Sequence, residues 1–233
     1  MTAAETLWAV GSYDDVRGVR TPWRISHEEI GRDVRAATAV LAELGVDGRR
    51  VLWCSMLAQA GQYWPYVCAT VMVGARLSCA DASYGEATRV SMFCRLMTYD
   101  AVFGVTEALL DGLDATGRSP ADVFADVRLV GAHPGAYERL IEAGLAPVRV
   151  ALCGPALAIA HEPGGPASVV ADEWKLVDVG DRIGITNLRP RAQSFHRTPI
   201  ALRGTIVNGG IVPDAVSSRT ATTTKEKRCP NAP

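Results

Sequence analysis

The chain has 233 residues, 48% of them hydrophobic and only 6% aromatic, with a formal net charge of −1. That length suits one domain, or one domain with a smaller lobe, and the apolar share is enough for a real core. Without a large block of one sign, the chain lacks the basic face of a nucleic-acid binder, so no nucleic-acid partner is expected.

The N-terminal string MTAAETLWAVGSYDD has no basic segment leading into a long apolar run, as a secretory signal would. The longest apolar stretch, 66–75, falls far below the roughly 18 residues that suggest a membrane span. The expectation is a cytoplasmic protein with no membrane partner. Its six cysteines, Cys54, Cys68, Cys79, Cys94, Cys153 and Cys229, include no C-x-x-C pair, which argues against a zinc or thioredoxin-like site. Most lie in apolar runs and read as buried reduced thiols. Cys229, in a polar tail, is the freely reactive one.

In chain order, residues 1–24 read as a loose lead-in. Ser26 with Glu29 three residues on forms a capping box. Ile30, Val34, Ala37, Leu41 and Leu44 follow at helical spacing, and Gly45 is a natural stop. Residues 50–56, RVLWCSM, read as a buried parallel strand. A helix over 58–73 contains Pro65, which predicts a kink or a late start. A short strand over 77–80 leads to a second capping-box pattern at Ser83 and Glu86, opening a helix to about residue 97. Residues 101–105 form another buried strand, and Thr106 caps a short helix over 107–113. Alternating strands and helices imply a parallel sheet with right-handed crossovers, so the fold class is doubly wound α/β.

Ser119-Pro120 starts a further short helix. Strands are expected over 127–130 and 148–152, around a helix over 136–143. Past Gly154 glycine and proline cluster, and short strands over 175–179, 182–187 and 205–207 suggest a small β-rich lobe. The expected division is 1–24 lead-in, 25–118 α/β lobe, 119–212 second partial α/β and β-rich lobe, and 213–233 disordered tail.

Residues 26–105, SHEEIGRDVRAATAVLAELGV through FCRLMTYDAVFGV, resemble the N-terminal lobe of the adenylate-forming superfamily of acyl-CoA synthetases, luciferases and peptide-synthetase adenylation domains. The likeness lies in the ordered set of elements rather than in one residue. A second stretch, about 127–204, resembles the segment leading into that family's Tyr-Gly-x-Thr-Glu motif, here Cys153-Gly154-Pro155-Ala156-Leu157. DRIGITNLRPRAQSFHR resembles phenylacetate-CoA-ligase-like members.

The departures from the family pattern bear directly on activity. The resemblance implies a Ser/Thr/Gly-rich phosphate loop with a lysine, whose backbone N–H groups cradle phosphate; DGLDATGRSPADVFAD stands in that region. The glutamate implied for magnesium is Leu157, the ribose-binding aspartate is absent, and the C-terminal lobe with its catalytic lysine is not in the sequence. Adenylation depends on charge stabilisation at the phosphates, so no cofactor is expected, and ATP with magnesium only where a partner completes the site.

The densest polar cluster is Arg189, Arg191, His196 and Arg197, with Ser194 and Arg203 nearby. Arginines there could take a carboxylate or phosphate bidentately, against the plainer reading of a solvated turn. Tyr63, Trp64 and Tyr66 could line an apolar acyl or aromatic pocket, against a core or interface role. His133, between a strand and a helix, sits where ligand loops gather in parallel sheets, or is simply a turn residue. His161 and Glu162 point to opposite faces of a strand, and no metal is indicated. The chain reads as a noncatalytic, shortened relative of acyl-CoA synthetases with a binding or regulatory role. Its expected partners are a protein or a second copy, with an acyl or aromatic carboxylate as ligand. The alternatives are a ligase fragment completed by a separate chain, and a remnant of a longer ligase gene.

Overall fold

A computed structural model describes residues 6–214; Cys229 and nearly all of the expected tail lie outside the described residues. The chain opens on a hairpin, β1 (Leu7–Asp14) paired antiparallel with β2 (Arg20–Ser26). This corrects the loose lead-in expected there. Asp15 closes the turn by accepting from the N–H groups of Arg17 and Val19 at 2.8 and 3.0 Å, and Tyr13, Trp23 and Ile25 turn inward to burial. Trp23 lies so close to Gly11 and Gly61 that a Cβ on either would fall 2.4 or 2.6 Å from its ring. Two missing side chains thus let the hairpin seat on the helix carrying Gly61.

The capping box at Ser26 forms as expected. Its hydroxyl accepts from the Glu29 N–H, and the Glu29 carboxylate accepts from the Ser26 N–H at 2.5 Å. Helix α1 (His27–Glu43) buries Ala37 and Leu41 and ends before Gly45, whose φ of +65° suits glycine. β3 (Arg50–Cys54) is followed by a 3₁₀ turn, Leu57–Gln59, and α2 (Ala60–Met72). Pro65 lies inside α2 and the helix starts well before it, so the late start does not occur. β4 (Arg76–Ala80) follows. The second capping box is not formed: Ser83 makes no side-chain cap to the 3₁₀ turn Tyr84–Glu86. Glu86 instead pairs with Arg89 at 3.0 Å, and α3 (Ala87–Met97) begins one turn later than the pattern suggested.

β5 (Ala101–Val105) leads into α4 (Glu107–Ala115), capped by Thr106 as its position predicts, with the hydroxyl accepting from Leu109 N–H at 3.2 Å. Then come α5 (Pro120–Val123), β6 (Leu129–Ala132), α6 (Ala136–Glu142), β7 (Val148–Cys153) and β8 (Ala156–Ile159). The main sheet has the order β4-β3-β5-β6-β7-β8, parallel except for β8, which returns beside β7. Trp53, Phe103, Val148 and Val150 pack with α1 and α2 on one face. Leu52, Val102, Val105 and Val130 pack with α3, α4 and α6 on the other. Helices on both faces of a parallel sheet make the doubly wound layer. The boundary drawn at 118/119 falls inside this sheet, because β6, β7 and β8 extend the layer begun by β3–β5.

The rest is antiparallel. β9 (Trp174–Val179), β10 (Arg182–Asn187) and β11 (Thr198–Pro199) form one small sheet, and β12 (Gly204–Val207) pairs with β13 (Gly210–Pro213). A third core of Tyr13, Trp23, Trp174, Ile185, Phe195 and Ile200 joins this part to the opening hairpin. Among the described residues no helix is long and apolar enough to cross a membrane.

Candidate functional site

From β3 the chain crosses to β4 on one side and then returns to β5 on the other. The carboxyl ends of β3 and β5 therefore part at a topological switch point, where open α/β sheets take ligands. The backbone there is tightly fitted. Gly104 of β5 has φ +84°, and a Cβ would lie 2.0 Å from the Cys54 carbonyl and 2.9 Å from the Tyr63 hydroxyl. Its bareness lets Tyr63 reach down from α2 into the crevice. The Tyr63 hydroxyl meets His133 Nε2, just past β6, at 2.5 Å. Burial pushes the Tyr63 phenol up and lowers the His133 pKa to about 4. A protonated phenol beside a neutral imidazole means that Tyr63 donates and His133 accepts.

Two recesses flank this pair. The first is a cleft of about 290 Å³ at the ends of β3 and β4, lined by Met56, Leu57, Tyr63, Trp64, Val67 and Ala80, with Asp81 and Arg89 also on its wall. Trp64 is half-exposed and packs on Trp8 of the hairpin, with ring centres 6.2 Å apart. The second, of about 280 Å³, lies between the hairpin and the ends of β6 and β7, and includes Gln62 and His133 in its wall.

The sequence-derived candidates separate. Tyr63 and Trp64 line the apolar cleft. Tyr66, expected beside them, is core: it packs on Trp53, and its hydroxyl donates to the Leu157 carbonyl at 3.3 Å. Two residues along a helix turn the ring some 200° away from Trp64.

The four anion-site candidates do not act as one group. Arg191 is buried and already neutralised. Its guanidinium donates to Asp33 at 2.6 and 2.9 Å and to Glu173 at 2.8 Å, and lies 4.0 Å over the Trp174 ring. Glu29 stands 3.8 Å away. An added anion would meet three carboxylates there. Arg189 is exposed at the edge of an open depression that also holds Arg32, Arg35, Asp172 and Glu173. His196 is exposed. Arg197 adopts φ +48° and donates from its guanidinium to the Asp178 carbonyl at 2.8 Å.

His161 pairs with Glu43 at 3.2 Å rather than working with Glu162. Among the described residues no group of three His, Cys, Asp or Glu side chains could hold a metal. The stretch where the resemblance placed a phosphate loop is the end of α4, a turn and α5. Gln62 escaped the sequence reading. The available signal was a neutral polar side chain within 57–74, a run without a charged residue, but nothing in the pattern showed which groups it would meet.

No protein-family model matches the sequence, and no curated protein is similar to it in sequence. Solved structures match in fold. An open conformation of 2-hydroxyisobutyryl-CoA ligase, in complex with 2-HIB-AMP and CoA, superposes with a TM-score of 0.64 at 14% identity, over 85% of this chain and 52% of that one. An o-succinylbenzoate CoA synthetase (MenE) double mutant from Bacillus subtilis, bound to the product analogue OSB-NCoA, gives 0.55 at 14% identity, over 84% and 43%. The N-terminal subdomain of Klebsiella oxytoca NpsA, in complex with 3-hydroxybenzoyl-AMSN, gives 0.55 at 9%, over 80% and 53%. The chain has the fold of the adenylate-forming acyl-CoA ligases and spans about half the length of these structures.

Proposed function

We propose that this chain is a noncatalytic, shortened relative of the acyl-CoA synthetases that acts in the cytoplasm by binding a small acyl or aromatic carboxylate. The observation that carries the reading is the cleft beside Tyr63 and Trp64. It is apolar, about 290 Å³ in size, and placed at the carboxyl ends of β3 and β4, next to the switch point. All its lining residues fall within 55–89, between the end of β3 and the start of α3. An aromatic ring or short alkyl chain would pack on Trp64, Met56 and Val67; Arg89 on the same wall is already held by Glu86 at 3.0 Å, so apolar packing carries the binding. The noncatalytic half of the reading is supported by the helices α4 and α5 in the stretch where a phosphate-cradling loop would be needed. The 2-HIB-AMP and CoA bound in the first structural neighbour favour an acyl ligand over other small molecules.

Two measurements test this. Tryptophan fluorescence during titration with benzoate and with short-chain acids is expected to saturate, and Trp64→Ala is expected to weaken binding about tenfold, as loss of a large apolar contact implies. Incubation with ATP, magnesium, CoA and the same acids is expected to yield no acyl-CoA by mass spectrometry; formation of acyl-CoA by the chain alone would refute the noncatalytic reading. A second reading, a ligase completed by a separate polypeptide, is favoured by the half-length match to the solved ligases. Copurification of a chain carrying a glycine-rich phosphate loop, with acyl-CoA formation by the pair, would establish it.

A further inference from the structure

Gln62 is 3% exposed and belongs to the wall of the second recess. Both hydrogens of its amide nitrogen are committed, to the carbonyls of Ser12 at 3.1 Å and Gly154 at 2.9 Å. These bonds fix the amide's orientation and leave Oε1 buried with no partner. A buried acceptor left unmatched costs about 1–3 kcal/mol, and native proteins retain few of them. The group that satisfies it must bring a donor.

His133 sets a second condition. Its Nε2 is taken by Tyr63, so the neutral ring carries its proton on Nδ1, and no hydrogen bond among the described residues engages that nitrogen. Gln62 Oε1 and His133 Nδ1 are thus an unmatched acceptor and an unmatched neutral donor on a wall that also carries Tyr13 and the Asp14–Arg20 pair. Its only cation is Arg20, and Asp14 holds that guanidinium at 3.3 Å, so the wall carries no spare positive charge for an anion. Tyr13, Leu152 and Leu202 supply apolar surface.

We propose that this recess is a second binding site, distinct from the apolar cleft, for a small uncharged carboxamide whose N–H meets Gln62 Oε1 and whose carbonyl accepts from His133. A volume of about 280 Å³ holds about a dozen heavy atoms at ordinary packing. A carboxylate has no donor for Gln62, and an alcohol presents one polar atom where two are needed. The site requires neither ATP chemistry nor the acyl cleft, so it stands or falls separately from the function proposed above.

The test titrates the full chain with benzamide, benzoate and benzyl alcohol, and reads each Kd from the amide NMR shifts of Leu152, Gly154, Ala201 and Leu202, which line this recess and not the acyl cleft. Benzamide is expected to bind with a submillimolar Kd, at least tenfold tighter than either of the others. Ala201→Trp, at an exposed bend on the rim, is expected to block binding while leaving thermal stability unchanged. Gln62→Leu is expected to abolish the preference for benzamide over benzyl alcohol; a melting curve shows whether it still folds, and Ala201→Trp decides the matter if it does not. Benzoate or benzyl alcohol binding as tightly as benzamide would overturn the proposal. So would no binding of benzamide at 10 mM, or benzamide binding that Ala201→Trp leaves intact. Retained binding in Trp64→Ala is expected and separates this recess from the acyl cleft.

Discussion

Gly104 and His133 show how much of the crevice depends on single atoms. A methyl group on Gly104 would press against the Cys54 carbonyl and the Tyr63 hydroxyl at a positive φ that other residues rarely adopt. Gly104→Ala is expected to lower stability by about 3 kcal/mol or more, read from the urea midpoint, and to detach Tyr63 from His133. His133 gives the protein an acid sensitivity. Its folded-state pKa, about 4, lies below the ordinary 6.5, so between those values the unfolded chain binds more protons. The linked stability is fully present above pH 6.5 and declines as pH falls towards 4, by an amount on the order of 2–3 kcal/mol. His133→Phe is expected to flatten that part of the stability–pH curve; an unchanged slope would show that other groups set it. Sequence position alone marked His133 as the loop residue after a strand. Its partner was not legible, because Tyr63 is 70 residues away and only the sheet order brings them together.

At the level of elements, legibility followed the range of the interaction. The Ser26 box, the Thr106 cap and the Gly45 stop are complete within a few residues, so the string itself displays them. The opening hairpin was missed because its burial comes from Trp23 against Gly11 and Gly61, a contact across distant segments that leaves only weak alternation in LWAVGSYD and RTPWRIS. Gly61→Val is expected to push Trp23 off its seat and loosen the hairpin. Faster amide exchange in 7–26, with the main sheet still protected, would be the readout. Arg191 is the clearest misassignment. A surface arginine cluster and a buried ion-pair network look alike in one dimension, since the carboxylates that decide between them come from α1 and from the residue before β9. Arg191→Met would leave Asp33 and Glu173 without their charge partner in a largely buried place. It is expected to cost about 3–5 kcal/mol, measurable as a lowered Tm, with no loss of anion binding.

For the whole molecule, alternation of strand and helix was enough to place the chain in the doubly wound class, because each crossover is local and handed. The extent of the layer was not legible. β8 is a four-residue apolar run after a tight Gly154 turn, and its pairing with β7 became visible only in three dimensions. The same sheet puts the two recesses side by side, with the Tyr63–His133 hydrogen bond between them: Tyr63 lines the cleft and His133 the second recess. Ligands in the two recesses are therefore expected to affect each other's affinity. A titration with benzoate in the presence and absence of saturating benzamide checks this; identical Kd values would show the recesses to be independent.

The Arg191 network also has a consequence in time. Asp33 leaves the ribosome 158 residues before the arginine that neutralises it. Until then α1 presents a slot lined by Glu29 and Asp33 with nothing to fill it, and the growing chain can assemble its central sheet while this corner stays open. The late insertion of Arg191 then works as a latch, fastening the first helix to the loop between β10 and β11. A chain ended at residue 188 is expected to keep slow amide exchange in β3 and β5 and to lose it along α1.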